Sequence, residues 1–207
     1  TLASDGWSGL GSEGVVVEVT PSDGRDGGAG GDGLRATIDF AGGAGYGIVR
    51  LDEPMTLPDN YVISFDYRAD LDVNNLEIKL VGPDDDGVPG GEDVWWVNMA
   101  NHRYPTEWTS IERKRRHFSY AWGPSGHDVP LDEIGAVEIA VVAGRGGDGW
   151  IEIDNFRITA IEPDRPYTGT PSVVASAGDV SGSISSAYPP EAVLAWSVGG
   201  VGDVLTV

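Results

Sequence analysis

Ile63-Ser64-Phe65-Asp66-Tyr67-Arg68 alternates an apolar residue with a polar one at every step. A period of two is that of an extended chain, in which successive side chains point to opposite faces. Ile63, Phe65 and Tyr67 therefore predict a core face, and Ser64, Asp66 and Arg68 a polar one. Leu57-Pro58-Asp59-Asn60, just upstream, is a turn signal that marks where the strand begins. Downstream the rule repeats in Leu76-Glu77-Ile78-Lys79-Leu80, which puts Glu77 and Lys79 together on the side away from the apolar residues. Beyond the acidic loop Gly82 to Asp93, Val94-Trp95-Trp96-Val97-Asn98-Met99 predicts a strand whose two tryptophans face opposite ways. One of them stands off the main core.

Working outward, Val15 to Val19 and Leu34 to Phe40 flank a loop of glycine and aspartate, Pro21 to Gly33, and Tyr46 to Leu51 follows. On the other side lie Thr109 to Arg116, Phe118 to Trp122, Ala136 to Val142 and Trp150 to Ala160. Gly, Pro or Asp bounds each of them, the chain holds 31 Gly and 13 Pro, and apolar residues at helical spacing are missing. The expectation is an all-β fold, a two-sheet antiparallel β-sandwich of the jelly-roll kind with a short β-rich extension at its C-terminus.

With 207 residues, 40% of them hydrophobic, the chain can build one good core but not two. Glu162-Pro163-Asp164-Arg165-Pro166 and then Pro171 break the strand pattern, which predicts a domain over 1–163, a linker over 164–171 and a remainder, 172–207, too short for a core of its own. A net charge of −20, with Lys79 and Lys114 the only lysines, repels nucleic acid and anionic membrane surfaces and supplies oxygen ligands for hard cations. No apolar run approaches the ~20 residues that span a bilayer. The absence of cysteine rules out disulfides, thiolate zinc sites and thiol catalysis. Thr1 is neither an initiator Met nor the start of a signal peptide, so the chain reads as a processed or excised piece of something longer.

Sugar recognition needs flat apolar faces for the C–H side of a pyranose and planar polar groups for its hydroxyls. Trp96, Asn98, Glu77, Lys79, Asp66 and Arg68 supply both kinds, provided that the three strands carrying them are neighbours. The alternative is that both tryptophans pack and the charges form a solvated sheet face. Trp122 falls at a strand end beside a turn, where an aromatic lines the rim of a groove, whereas Trp108 and Trp150 read as core or structural. Arg113-Lys114-Arg115-Arg116 holds four of the thirteen cations. Alternation splits them between two faces, leaving Arg115 either to grip an acidic sugar or a hydroxyl pair, or to neutralise neighbouring carboxylates such as Glu77, Glu112 and Glu138.

Catalysis finds little support: His102, His117 and His127 have no nucleophile motif beside them, and neither Gly-x-Ser-x-Gly nor His-Glu-x-x-His occurs. With 33 acidic residues, accidental carboxylate pairs are guaranteed, so a β-sandwich glycosidase or lyase is the enzymatic alternative.

Several motifs together carry a family resemblance: Asn74 to Leu80, Val94-Trp95-Trp96-Val97, Arg113 to His117 leading to Ala121-Trp122-Gly123-Pro124, and Gly146 to Asn155. Residues 5–161 resemble the N-terminal module of bacterial discoidin-domain-containing glycoside-hydrolase-type proteins, a galactose-binding-like jelly roll similar to calcium-containing carbohydrate-binding modules. The resemblance implies a structural calcium ion at Asp154 on the last strand, reached by the acidic residues Glu13 and Asp5 and with Asp32 of the glycine loop contributing. Ser172 to Ser176, Ala195-Trp196-Ser197 and Gly202 to Val207 look like the opening strands of a discoidin (coagulation factor type C) domain. The functional expectation is a non-catalytic carbohydrate-binding module of a larger secreted or cell-surface carbohydrate-active protein. Its partners would be a polysaccharide or oligosaccharide and further domains of the same polypeptide. A structural jelly roll that holds no glycan is the competing reading.

Overall fold

The computed structural model describes residues 6–27, 33–83, 92–126, 131–144 and 146–162, together with the backbone of 179–187 and 191–199. The chain divides into two units, Thr1–Ile161 and Glu162–Val207. The first holds β1 (Trp7–Gly11), β2 (Val16–Ser22), β3 (Gly33–Asp39), β4 (Gly45–Thr56), β5 (Tyr61–Asp70), β6 (Asn74–Val81), β7 (Val94–His102), β8 (Thr109–Lys114), β9 (Ser119–Trp122), β10 (Glu133–Ala143) and β11 (Asp148–Ala160). They form a six-stranded sheet in the order β1-β4-β10-β6-β7-β9 and a five-stranded sheet in the order β2-β3-β11-β5-β8. Every pairing is antiparallel. The second unit contains a hairpin of β12 (Asp179–Ala187) and β13 (Glu191–Gly199), in which Gly182 lies opposite Trp196. Residues 172–176 and 202–207 lie outside the described set.

The two sheets meet through the apolar halves of their alternating strands. Leu76, Ile78 and Leu80 of β6, Val137, Ile139 and Val141 of β10, and Val49 and Leu51 of β4 pack against Ile63, Phe65 and Tyr67 of β5, Ile151 and Ile153 of β11, and Leu34, Ala36 and Ile38 of β3. Nearly all are under 5% exposed, so this interior supplies the main hydrophobic driving force. Trp95 joins that core and meets Tyr120 edge-on at 5.9 Å. Its neighbour Trp96 faces outward, as the alternation requires.

Two elements depart from the pattern. β1 was not signalled, because Trp-Ser-Gly-Leu-Gly contains no run of β formers, and its glycines serve packing instead: a Cβ at Gly9 would fall 2.5 Å from the Val17 carbonyl oxygen. The strand expected over 109–116 ends at Lys114, and Arg115–His117 form a 3-10 turn. On β11 the register slips between Asp154 and Arg157, with Asn155 at φ 54°, a left-handed conformation that asparagine tolerates better than most residues.

Candidate functional site: a cleft on the six-stranded sheet

Cross-strand register builds the site. On the outer face of the six-stranded sheet, Ser8, Arg50, Glu138, Lys79 and Trp96 lie opposite one another in succession, one from each of five adjacent strands. The row on one side runs Leu10, Ile48, Ala140, Glu77, Asn98, and the row on the other Asp52, Ala136, Val81, Val94, Trp122. Alanines thus occupy the middle of both flanking rows, while Tyr46 and Trp122, each 44% exposed, rise at the two sides. Small residues between large ones make a hollow, a cleft of about 530 Å³ lined by Leu10, Tyr46, Arg50, Lys79 and Trp122, among others. A small apolar cluster of Val81, Val94 and Ala136, with Ala121 against it, closes one end of the floor.

The floor is charged and nearly dry. Glu77, Lys79 and Glu138 are only 5%, 6% and 7% exposed. Burying such groups is costly unless each is paired, and each is. Lys79 Nζ stands 3.3 Å from Glu77 Oε2 and 3.7 Å from Glu138 Oε2. Arg50 Nη1 donates to Glu138 Oε1 at 2.7 Å and its Nε to Asp52 Oδ1 at 2.6 Å, while Asn98 Nδ2 donates to Glu77 Oε1 at 3.2 Å. Burial pulls the Arg50 guanidinium towards losing its proton, but the bonds to Asp52 and Glu138 outweigh it and raise its pKa. The Lys79 ammonium lies 5.5 Å from the Trp122 ring centre and 5.9 Å from that of Tyr46, within reach of both π faces. Trp96 holds Trp122 edge-on at 5.5 Å. The result is a lattice of planar donors and acceptors, fixed in place, between two aromatic walls. Such a lattice suits ring hydroxyls, with the walls offering faces to C–H groups.

Glu77, Lys79, Trp96, Asn98 and Trp122 therefore meet in one place. Asp66 and Arg68 do not join them: β5 belongs to the other sheet, and both residues point away from the core on the opposite side of the sandwich. Arg115 is not in the cleft either, since its Nη1 caps the Asp59 carbonyl from the 3-10 turn at 3.1 Å. Trp108 and Trp150, expected to be core or structural, are half-buried outside the core, on the outer face of the five-stranded sheet. Sequence reading missed Leu10, Tyr46, Arg50 and Glu138. The available signal was a lone charge inside each of two long apolar strands, Ile48-Val49-Arg50-Leu51 and Ala136-Val137-Glu138-Ile139-Ala140.

Asp154, the carboxylate expected to reach an ion, is buried and lies opposite Asp66. Its Oδ2 accepts the Arg25 backbone N–H at 2.7 Å and its Oδ1 that of Asn155 at 2.6 Å. Asp66 accepts Arg25 Nη1 at 2.9 Å, Asn155 Nδ2 at 3.0 Å and the Ser110 hydroxyl. Burial alone would raise the Asp66 pKa, but Ser110, Asn155 and Arg25 together hold it below the usual carboxylate value. The chain passes this close because Gly24 has φ +67° and no Cβ, which would fall 2.6 Å from Asp154 Oδ2. Glu13 is not part of this arrangement. It sits beyond the Val16 end of β2, whereas Asp154 neighbours the Gly33 end of β3, about 20 Å away along the strands. Asp5 and Asp32 lie outside the described residues. Among the described residues no three His, Asp or Glu side chains converge to hold an ion, so these do not by themselves fit the expected calcium cage.

No protein-family model and no curated protein matches the sequence. Solved structures do match. The family 11 carbohydrate-binding module from Clostridium thermocellum, in complex with a β-1,3-1,4-mixed-linked tetrasaccharide, aligns with a TM-score of 0.59 at 19% identity, covering 74% of this chain and 88% of that one. The family 11 module of a cellulosomal cellulase of Clostridium thermocellum aligns with a TM-score of 0.55 at 21% identity over 77% and 91% of the two chains. At such identities the likeness speaks for the fold alone: the first unit is a jelly-roll β-sandwich, as these modules are.

Proposed function

We propose that this chain is a non-catalytic carbohydrate-binding module that holds a neutral polysaccharide in the cleft of its six-stranded sheet. One observation carries the reading: a paired network, Arg50–Glu138–Lys79–Glu77–Asn98, whose three central charges are buried, lies under Tyr46 and Trp122. Positive and negative groups alternate along it, so it offers hydroxyl partners of both kinds without net attraction for an anionic chain. A net charge of −20 adds to that selectivity by repelling polyanions. The likeness to a module solved with a bound mixed-linked tetrasaccharide supports the same reading.

In this reading the module belongs to a secreted or surface carbohydrate-active protein and tethers the polymer near the other domains of its polypeptide, raising their effective substrate concentration. The discoidin-like opening of the second unit rests on its sequence resemblance alone. The calcium ion implied by the resemblance would draw on Asp154 with Asp5 and Asp32, and a thermal melt with and without a chelator tests it: an unchanged melting temperature removes the ion from the account.

The deciding experiment is affinity electrophoresis of the whole chain in gels containing soluble mixed-linked β-glucan. Retardation of the parent protein, lost in Trp122→Ala and Trp96→Ala with unchanged far-UV circular dichroism, is the expected result. Equal migration with and without glucan would overturn the cleft as a glucan site and favour the structural reading for that face.

A further inference from the structure

The outer face of the five-stranded sheet lies on the opposite side of the sandwich from the cleft. Four planar groups cross its centre: Arg35 of β3, Trp150 of β11, Arg68 of β5 and Trp108, which immediately precedes β8. The Arg35 guanidinium carbon lies 4.0 Å from the Trp150 ring centre. That of Arg68 lies 5.9 Å from the Trp150 ring and 5.0 Å from that of Trp108. Glu152, opposite both arginines in register and 6% exposed, accepts a hydrogen bond from Arg68 Nε at 2.6 Å. Arg35 Nε stands 3.5 Å from the other Glu152 oxygen, an ion-pair contact; this nitrogen is buried yet has no hydrogen-bond acceptor.

This arrangement is poorly explained by stability. Neither tryptophan belongs to the hydrophobic core. In a chain with 33 acidic residues against 13 basic ones, a guanidinium can easily be surrounded by carboxylates, as Arg50 is by two. Arg35 and Arg68 instead share one. Beyond Glu152 and the indoles, neither has a further hydrogen-bond or ion-pair partner among the described residues, and their side chains remain 39% and 37% exposed. Spare guanidinium donors beside indole faces are what a sugar surface requires, because pyranose C–H faces stack on the rings and hydroxyl oxygens accept the N–H groups.

We propose that the Arg35–Trp150–Arg68–Trp108 row is a second carbohydrate-binding surface, flat where the first is a cleft, which takes a neutral polymeric glycan. Neutrality follows from charge: Glu152 balances one arginine locally, and the −20 field repels polyanions. The preference for polymer follows from shape. The row spans three strand spacings, about 15 Å, and has no walls, so each sugar unit is contacted from one side only and affinity must accumulate over neighbouring chains. This surface stands or falls independently of the cleft.

The test is depletion of the whole chain from solution by swollen insoluble cellulose, with alginate as the anionic control, alongside titration with soluble mixed-linked tetrasaccharide. Trp108→Ala and Arg68→Gln, each checked for an unchanged fold by circular dichroism, should weaken retention on cellulose at least tenfold and leave the tetrasaccharide affinity as in the parent protein. The cleft variant Trp122→Ala should do the reverse, losing the tetrasaccharide while keeping part of the cellulose retention. If both folded outer-face variants are retained like the parent, or if the parent prefers alginate, the proposal is overturned. Outer-face losses combined with an inert cleft would sustain this surface and sink the cleft reading instead.

Discussion

Strands β5 and β6 follow the same rule and serve different sites. Each alternates large apolar residues with charges of both signs, Asp66 and Arg68 on one, Glu77 and Lys79 on the other, and each buries its apolar half in the same interior. Yet β6 lies in the interior of the six-stranded sheet, where Glu77 and Lys79 form the floor of a hollow, while β5 lies in the five-stranded sheet with its charges on the opposite face. The neighbours account for the difference. Beside β6, the alanines of β10 and the aromatics of β4 and β9 make walls around a low floor. Beside β5, Trp108 and Trp150 lie level with Arg68 and leave the face open. A charged pair on a strand is thus a component whose use is set by the strands on either side.

Breaking the network under the cleft should produce the largest effect. Lys79→Met strands Glu77 and Glu138 without their shared cation, and loss of one partner of a buried ion pair costs about 3–5 kcal/mol. Urea denaturation should show that loss directly, and a cost below about 1 kcal/mol, the range of exposed pairs, would mean that the floor is wet. The apolar halves come next. Ile78→Ala on β6 and Ile63→Ala on β5, both at most 1% exposed, should each cost about 2–5 kcal/mol, and similar values would confirm that the two strands share one core. For binding, Trp122→Ala should weaken affinity for the soluble mixed-linked tetrasaccharide by about tenfold to a hundredfold, as expected for an exposed aromatic anchor, whereas Arg68→Gln should leave that affinity unchanged.

Acid should separate the two sides further. His102 has its pKa lowered by burial and by the positive charge of Arg113, so the folded state binds the proton more weakly than the unfolded state. Stability therefore falls as pH drops through the unperturbed histidine value, about 6.5. Asp66, held below the ordinary carboxylate range, contributes stability above that range and loses it as pH falls below about 4. Melts from pH 8 to pH 3 should show both declines, and Asp66→Asn should remove the second. The smallest effect is expected from Arg68→Gln on the melt. That side chain is 37% exposed in its pair with Glu152, which places its ionic contribution near 1 kcal/mol or less.

Much of the cleft was legible because strand alternation is a local property. Trp95 and Trp96 had to face opposite ways, and Trp95 is in the core while Trp96 lies on the outer face, edge-on behind the cleft's Trp122. Glu77 and Lys79 had to share a face, and they do. Arg50 and Glu138 each stood out only as a lone charge in an apolar strand, which marks a residue without assigning it a place; the register that sets Glu138 between Arg50 and Lys79 gives it a role. For Trp108 and Trp150 sequence left core and structural readings open, for the opposite reason. An indole is as hydrophobic on a sheet's outer face as in its core, and what distinguishes the two here is a guanidinium stacked upon it.

Local sequence thus determined most of the strands, their apolar and polar faces and the β-sandwich class, because side-chain alternation and turn chemistry act over a few residues. Tertiary structure alone decided which strands became neighbours, and hence that Lys79 meets Glu138 while Arg68 meets Glu152. That pairing joins residues 59 and 84 positions apart, through hydrogen bonds between strands whose backbones carry no mark of their partner.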